Sequence, residues 1–377
     1  MEIKFNQPYR AKNTKQYLEK VLKSGNLGIE GTFTNLCEQW LEEKLGVKKA
    51  LLTQSCTAAL ELSIRLTKTE ADDEIILPSF TYVSSANCVV MAGSRPIFVD
   101  IDPKSLTIDV NQIEKRINKK TKGIICVHYG GYPCDFQELF RVCNYHDLFL
   151  IEDSAHSTGG TYNGQALGTF GQLGTLSFHE TKNITCGQGG ALLINDENLI
   201  PNAHILSQRG TDRKNFLNGN VGKYTWKNIG SSWLMSEVHA AILWSQLEEF
   251  ALIQKKRREI WCFYHENLMD LERDGYLRRP PCNFDRQDSF HNYCIILNKK
   301  FERKSLLNEL LNKGVQAVSH YEPLHLSEAG KRFSEERNFL PVTEAVSGCL
   351  IRLPFHNYLK SSEQEFVVEV LTTVLKN

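Results

Sequence analysis

Five short apolar runs, KKALLTQS, DEIILPSF, RPIFVDID, KGIICVHYGG and LFLIEDSAH, lead into polar, Gly-rich or Ser-rich turns and then into helical patterns. This alternation predicts an α/β domain with a mainly parallel sheet. In such sheets ligands gather beyond the carboxyl ends of the strands, so the polar tails of these runs are where site residues should be sought. After GALLIND the pattern changes. Ala240, Leu243, Leu247 and Phe250 share one helical face, which predicts a long helix leading out of the first domain. A chain of 377 residues suits two domains better than one. From Arg278 a second alternation begins: SFHNYCIIL is strand-like, KSLLNELLNKG is helical and ended by Gly314, and VQAVSHY is strand-like again. The expected division is a large domain over 1–250 and a smaller C-terminal α/β domain over 251–377.

Charge and cysteine usage exclude several classes. Lys plus Arg equals Asp plus Glu at 44 each, so no overall field favours nucleic acid or an anionic membrane. The KKRR run at 255–258 reads as the solvated face of a helix. No apolar stretch reaches the roughly 18 residues of a membrane span, and the start MEIKFNQPYR lacks the pattern of an export signal. The 11 cysteines contain no C-x-x-C pair and suggest neither a disulfide framework nor a zinc site. Reduced thiols, a cytoplasmic protein and no metal are expected. No G-x-G-x-x-G follows the first strand, which argues against a nicotinamide dehydrogenase.

Four places carry possible chemistry. In TQSCTAALELSIRL the chain turns from strand to helix at Ser55, Cys56 and Thr57. A helix start offers unpaired N–H groups and a partial positive charge, which suits a phosphate, although a simple N-cap explains the same residues. Asp153 stands at the end of LFLIED, where it could cap a helix, bind a metal or pair with a protonated ring nitrogen. His156 follows it, and a lone histidine is by default a hydrogen-bonded structural one. Tyr82, in PSFTYVSSAN, could give a planar cofactor a flat face or simply pack in the core. Lys182 lies in SFHETKNITCGQGG, a polar loop with a glycine-rich return between two strand-like runs. A lysine whose ammonium pKa is lowered can form a Schiff base with an aldehyde and shuttle protons. Taken singly, each place has a bland explanation. A phosphate-type helix start, then an Asp at a strand end, then a Lys after a Ser-bearing strand end is the order that a pyridoxal-phosphate enzyme needs.

With EDSAH, SFHETKN, GQGGALLIND, IGSSWLMSEVHAA and HYEPLH in place, the chain resembles the DegT/DnrJ/EryC1/StrS sugar aminotransferases, from SGNLGIEGTFT to RLPFHN. The resemblance implies a fold-type-I pyridoxal-phosphate transferase. It makes Lys182 the Schiff-base lysine and Asp153 the partner of the pyridinium nitrogen. Cys56, Thr57 and Ser177 match positions that hold the phosphate, Tyr82 the ring-stacking aromatic, and His156 the polar residue near the ring hydroxyl, where Gln is common. Tyr321 and His325, in HYEPLH, are candidates for substrate contact or for shaping the domain junction. Within the family the likeness is greatest to the branch that converts dTDP-4-keto-6-deoxyglucose to dTDP-4-amino-4,6-dideoxygalactose with glutamate as donor, in a homodimer with shared active sites. Another ketosugar, or amination at C3, is the alternative. The dehydratase branch carries histidine in place of the lysine, and a non-catalytic regulator would carry a DNA-binding extension. Ser154 and Gln188 depart from the wider family's Ala and Glu. IGSSWLMSE departs from its Asn- and Arg-bearing version of that segment.

Overall fold

A computed structural model describes residues 2–282, 286–287, 289–334 and 339–376. The large sheet has seven strands in the order β1-β9-β8-β5-β4-β2-β3. These are β1 (Lys49–Thr53), β2 (Glu74–Pro78), β3 (Arg95–Val99), β4 (Thr121–Val127), β5 (Phe149–Asp153), β8 (Leu173–Ser177) and β9 (Gly190–Ile194). Six strands run the same way, and only β9 is antiparallel to its neighbours. All five runs singled out in the sequence are strands of this sheet.

Alternate side chains of the central strands feed two cores. Ile75, Leu77, Ile125 and Ile151 pack on one face with the helix Cys56–Leu66. Ile76, Ile124, Cys126 and Leu150 pack on the other with the helix Phe136–His146. This is the period of two expected of a pleated strand buried on both faces. Beyond β5 the short strand β6 (Thr161–Tyr162) pairs with β7 (Gln165–Ala166) on one side and β11 (Arg286–Gln287) on the other, in a small sheet of their own.

The expected long helix is two helices, Glu237–Glu248 and Phe250–Asn267, joined at Glu249, whose backbone leaves helical geometry. Ile253 packs in the core of the large sheet, whereas Ile260, Trp261 and Tyr264 pack in a separate C-terminal core. That core surrounds a second sheet, order β10-β12-β14-β13, formed by β10 (Leu277–Arg278), β12 (Cys294–Leu297), β13 (Val318–Ser319) and β14 (Leu350–Arg352). The pairings in this sheet are all antiparallel. SFHNYCIIL supplies only four strand residues and VQAVSHY only two, because flanking residues turn toward the large sheet, where Ser289 donates to the His156 carbonyl and Tyr321 meets the His156 ring. KSLLNELLNKG forms the helix Arg303–Asn312, and Gly314 follows it with φ 87°.

The KKRR run is not wholly solvated. Arg257 is 3% exposed and its guanidinium donates to the Phe290 and His291 carbonyls and to Asn357. All 11 cysteines are free. Cys126, His128 and Cys134 cluster within metal-ligand reach. The imidazole there is engaged on both sides, accepting the Cys134 amide at Nδ1 and facing Glu152 through Nε2. Among the described residues no helix is long and apolar enough to cross a membrane.

Candidate active site

Because β1, β2, β4, β5 and β8 are parallel, their carboxyl ends open on one edge of the sheet, and the antiparallel β9 starts there. Gly190 stands opposite both Thr53 and Ser177. Above this edge lies an open cleft of ≈ 1610 Å³. Cys56, Thr57, Tyr82, Asp153, His156, Ser177, Lys182 and Tyr321 all line it.

The helix Cys56–Leu66 begins at this edge. Ser55, in extended backbone, caps it by accepting the Ala58 amide at 3.1 Å. The cap leaves other first-turn N–H groups directed at the cleft, with the positive end of the helix dipole behind them. The Thr57 hydroxyl meets Ser84 Oγ at 2.7 Å, at the start of the helix Val83–Met91, so two helix starts converge. Glycine is required beside them. A Cβ on Gly190 would lie 2.4 Å from the Cys56 nitrogen and the Ser55 carbonyl carbon. Burial raises the pKa of the Cys56 thiol, which keeps it protonated.

Asp153 is buried at the end of β5. The Ser85 hydroxyl donates to its Oδ2 at 2.7 Å and the Ala155 amide to its Oδ1 at 3.2 Å. With its proton on Asp153, Ser85 Oγ must accept from Thr81 Oγ1 at 2.9 Å, and this chain fixes the carboxylate's direction.

Lys182 sits in the loop between β8 and β9. Backbone bonds from Phe178 to Gly189 and from Glu180 to Gly187 close that loop. Its neighbour Asn183 anchors it by donating to the Ser289 carbonyl at 2.6 Å. Burial lowers the Lys182 ammonium from 10.5 to about 8; the Asp153 carboxylate acts the other way, and Arg352 adds to the fall. An amine poised near neutrality, with a fixed carboxylate across the same cleft, is suited to reversible attack on a carbonyl and to carrying protons.

Tyr82 is 57% exposed at the rim, with its ring centroid 6.3 Å from that of Tyr321. His156 is buried; it accepts the Gly130 amide at Nδ1 and faces the Tyr321 hydroxyl through Nε2, each at 3.2 Å. Neither ring nitrogen is directed freely into the cleft. His325 does not reach it. Its Nδ1 meets Ser79 Oγ at 2.7 Å and its Nε2 meets Glu344 at 3.3 Å, so the buried imidazole ties the loop before it to the end of β2. Of the three departures from the family pattern, two are single residues near the site: Ser154 is buried with an unpartnered hydroxyl, and Gln188 lies on the cleft wall.

Reading along the chain missed several groups that line the cleft. Ser84 was legible in the hydroxyl-rich VSSAN at a helix start, but Arg352 ends a strand of the second sheet, His291 precedes β12 and His320 follows β13, and none of the three carries a local signal. Arg352 ends β14. Its guanidinium lies 4.8 Å from the Phe5 ring and donates from Nη2 to the Ser319 carbonyl at 3.2 Å, while its buried Nε has no partner. No carboxylate forms an ion pair with it among the described residues.

The residues present fit pyridoxal phosphate. Converging helix starts offer a phosphate cradle, a side-chain-free glycine lets the strand approach it, a carboxylate is fixed at a strand end, and a lysine of lowered pKa faces them. The comparisons with known proteins agree. The sequence pattern of the DegT/DnrJ/EryC1/StrS aminotransferase family matches residues 8–372. The chain is similar to a GDP-perosamine synthase of Vibrio cholerae, at 32% identity over 91% of this chain and 90% of that one. Among solved structures it is similar to Helicobacter pylori PseC, an aminotransferase involved in the biosynthesis of pseudoaminic acid, with 28% identity, TM-score 0.91 and full coverage of both chains. It is also similar to the PLP form of Spr1654, a putative sugar aminotransferase of Streptococcus pneumoniae, with 26% identity and TM-score 0.91 over 100% of this chain and 99% of that one. The chain therefore belongs to the DegT/DnrJ/EryC1/StrS family of sugar aminotransferases, which are pyridoxal-phosphate-dependent enzymes.

Proposed function

We propose that this enzyme moves an amino group from glutamate to the C4 ketone of a nucleotide-linked 4-keto-6-deoxy sugar. The observation that carries the reading is the lowered Lys182 amine, set across one cleft from the fixed carboxylate of Asp153. Pyridoxal phosphate, when bound, supplies an aldehyde and a ring that draws off carbanion charge. Lys182 holds the cofactor, then takes the donor's α-proton and later returns a proton to the sugar carbon. Asp153 keeps the ring nitrogen protonated. Cys56, Thr57, Ser84 and Ser177 hold the phosphate, and Tyr82 covers the ring from the rim. Arg352, a cation without a carboxylate partner among the described residues, receives a carboxylate of the donor.

The first candidate acceptor is dTDP-4-keto-6-deoxyglucose, giving dTDP-4-amino-4,6-dideoxygalactose. A guanosine-linked ketosugar is the second, favoured by the likeness to GDP-perosamine synthases of Vibrio cholerae and Escherichia coli. We also infer a homodimer with shared sites. Trp226, Ile229 and Leu217 are 77%, 66% and 56% exposed, and the chain from Trp226 runs back to Leu234 and Met235, which bridge β1 beside the cofactor cradle. Free cysteines suit work in the cytoplasm. The two cores suit a domain division at 250/251.

The test is incubation with glutamate and a panel of dTDP- and GDP-linked ketosugars, with the product's NMR spectrum fixing the aminated carbon and its configuration. Lys182→Ala should abolish turnover. Borohydride after pyridoxal phosphate should label Lys182 in the parent protein; label found only at other lysines would refute the assignment.

A further inference from the structure

The hydrogen bonds around His156 determine which ring nitrogen carries its proton, and through it the direction of a second group. A backbone N–H can only donate, so the Gly130 amide at 3.2 Å makes His156 Nδ1 a lone-pair acceptor. The ring is 6% exposed and stacks on His291 at 4.2 Å with an interplanar angle of 18°. Burial first, then the charge of Lys182 and the neighbouring His291, His320 and Arg352, hold its pKa well below the ordinary histidine value. The ring is therefore neutral, and its single proton is on Nε2, 3.2 Å from the Tyr321 oxygen.

Tyr321 thus accepts from His156, and its own proton has no acceptor among the described residues. The phenol is held firmly while it waits. Its ring stacks on His320 at 3.7 Å, and His320 is in turn bonded through Nδ1 to the Tyr129 hydroxyl at 2.6 Å. Phe80 meets it edge-on at 5.8 Å. Tyr321 lines the cleft together with Lys182 and Asp153.

We propose that His156 is a positioning residue that makes Tyr321 an obligate hydrogen-bond donor into the cleft, and that Tyr321 gives this bond to the carbonyl oxygen of the ketosugar. The bond polarises the carbonyl toward attack by an amine. Tyr321 keeps its proton throughout, as suits a phenol whose pKa burial has raised. The second half of the proposal rests on the transaminase reading; the first does not.

The test has two arms. In the cofactor-free protein, ¹⁵N NMR of the His156 ring should show Nδ1 bare and Nε2 protonated at neutral pH, and Tyr321→Phe should leave this unchanged because Gly130 sets it. A protonated Nδ1 would overturn the proposal, whether or not the protein aminates sugars. In single-turnover kinetics, Tyr321→Phe should slow the ketosugar half-reaction about 10²-fold, in the range of losing one preorganised donor. Release of 2-oxoglutarate from glutamate should stay within about twofold. His156→Leu should match Tyr321→Phe, and the double variant should add nothing further. His156→Gln should retain the parent rate within a few fold, since its amide oxygen can accept from Gly130 while its NH₂ donates to Tyr321. This conservative variant decides the matter if the leucine variant fails to fold. Equal losses in both halves, an altered cofactor absorbance in Tyr321→Phe, or a Gln variant as slow as the Leu variant would overturn the proposal. Should no ketosugar be aminated although Nε2 carries the proton, the transaminase reading falls and the tautomer stands.

Discussion

The titration of Lys182 in the cofactor-free protein gives the most direct access to the site's chemistry. Its ammonium falls from 10.5 to about 8 chiefly because burial disfavours charge. A fall of roughly 2.5 in pKa corresponds to about 3 kcal/mol of differential cost. At pH 7 about a tenth of the side chains are then neutral, against roughly one in 3,000 for an unperturbed lysine. Competitive acetylation with trace acetic anhydride, read by peptide mass spectrometry across pH 6 to 11, should give Lys182 a midpoint near 8, with exposed lysines such as Lys44 serving as references. Neighbouring charges set the direction of further shifts. Arg352→Met removes a like charge and should raise the midpoint; Asp153→Asn removes an opposite one and should lower it. The sign for stability follows. The unfolded chain binds more protons than the folded one between pH 8 and 10.5, so in this window stability rises with pH, and the cost is fully present below 8. A midpoint close to 10.5, or shifts of the wrong sign in both variants, would refute the reasoning.

Three other perturbations have clear expectations. Gly190→Ala places a Cβ against the Ser55–Cys56 backbone, so it should cost about 2–3 kcal/mol in urea unfolding and weaken pyridoxal phosphate binding in an absorbance titration. Asp100 is a buried carboxylate that accepts the Val342 and Thr343 amides and the Thr343 hydroxyl, holding the start of the helix Pro341–Cys349 against the end of β3. Asp100→Ala should therefore lose about 2–3 kcal/mol in the same measurement, with Asp100→Asn losing less. His325→Ala should cost about 1–2 kcal/mol by leaving Ser79 and Glu344 without their partner, while the KM for the ketosugar stays unchanged; a rise in KM at constant stability would place this imidazole in substrate binding.

What the sequence determined by itself was whatever depends on near neighbours. The five apolar runs were legible as strands, because short β-branched and Leu-rich segments bounded by turns are too short for helices and fit strands buried on both faces. Lys182, Asp153 and the helix start at Cys56 were legible for the same reason: a parallel sheet delivers the residues after each strand to one edge, so order along the chain already implies proximity in space. Tertiary structure alone decided the rest. Glu249 breaks what the apolar periodicity presents as one helix, and Arg257 leaves the solvated face because the carbonyls of Phe290 and His291 need its donors. His325 shares a motif with Tyr321 yet points away from the cleft, toward Ser79 and Glu344. Arg352, His291 and His320 enter from the strands of a second sheet and the segments beside them, more than 100 residues beyond Lys182, where no local pattern distinguishes a cleft residue from a structural one. The proton on His156 was the least legible feature, since it is set by a backbone amide of Gly130, and the chain makes that contact only by folding.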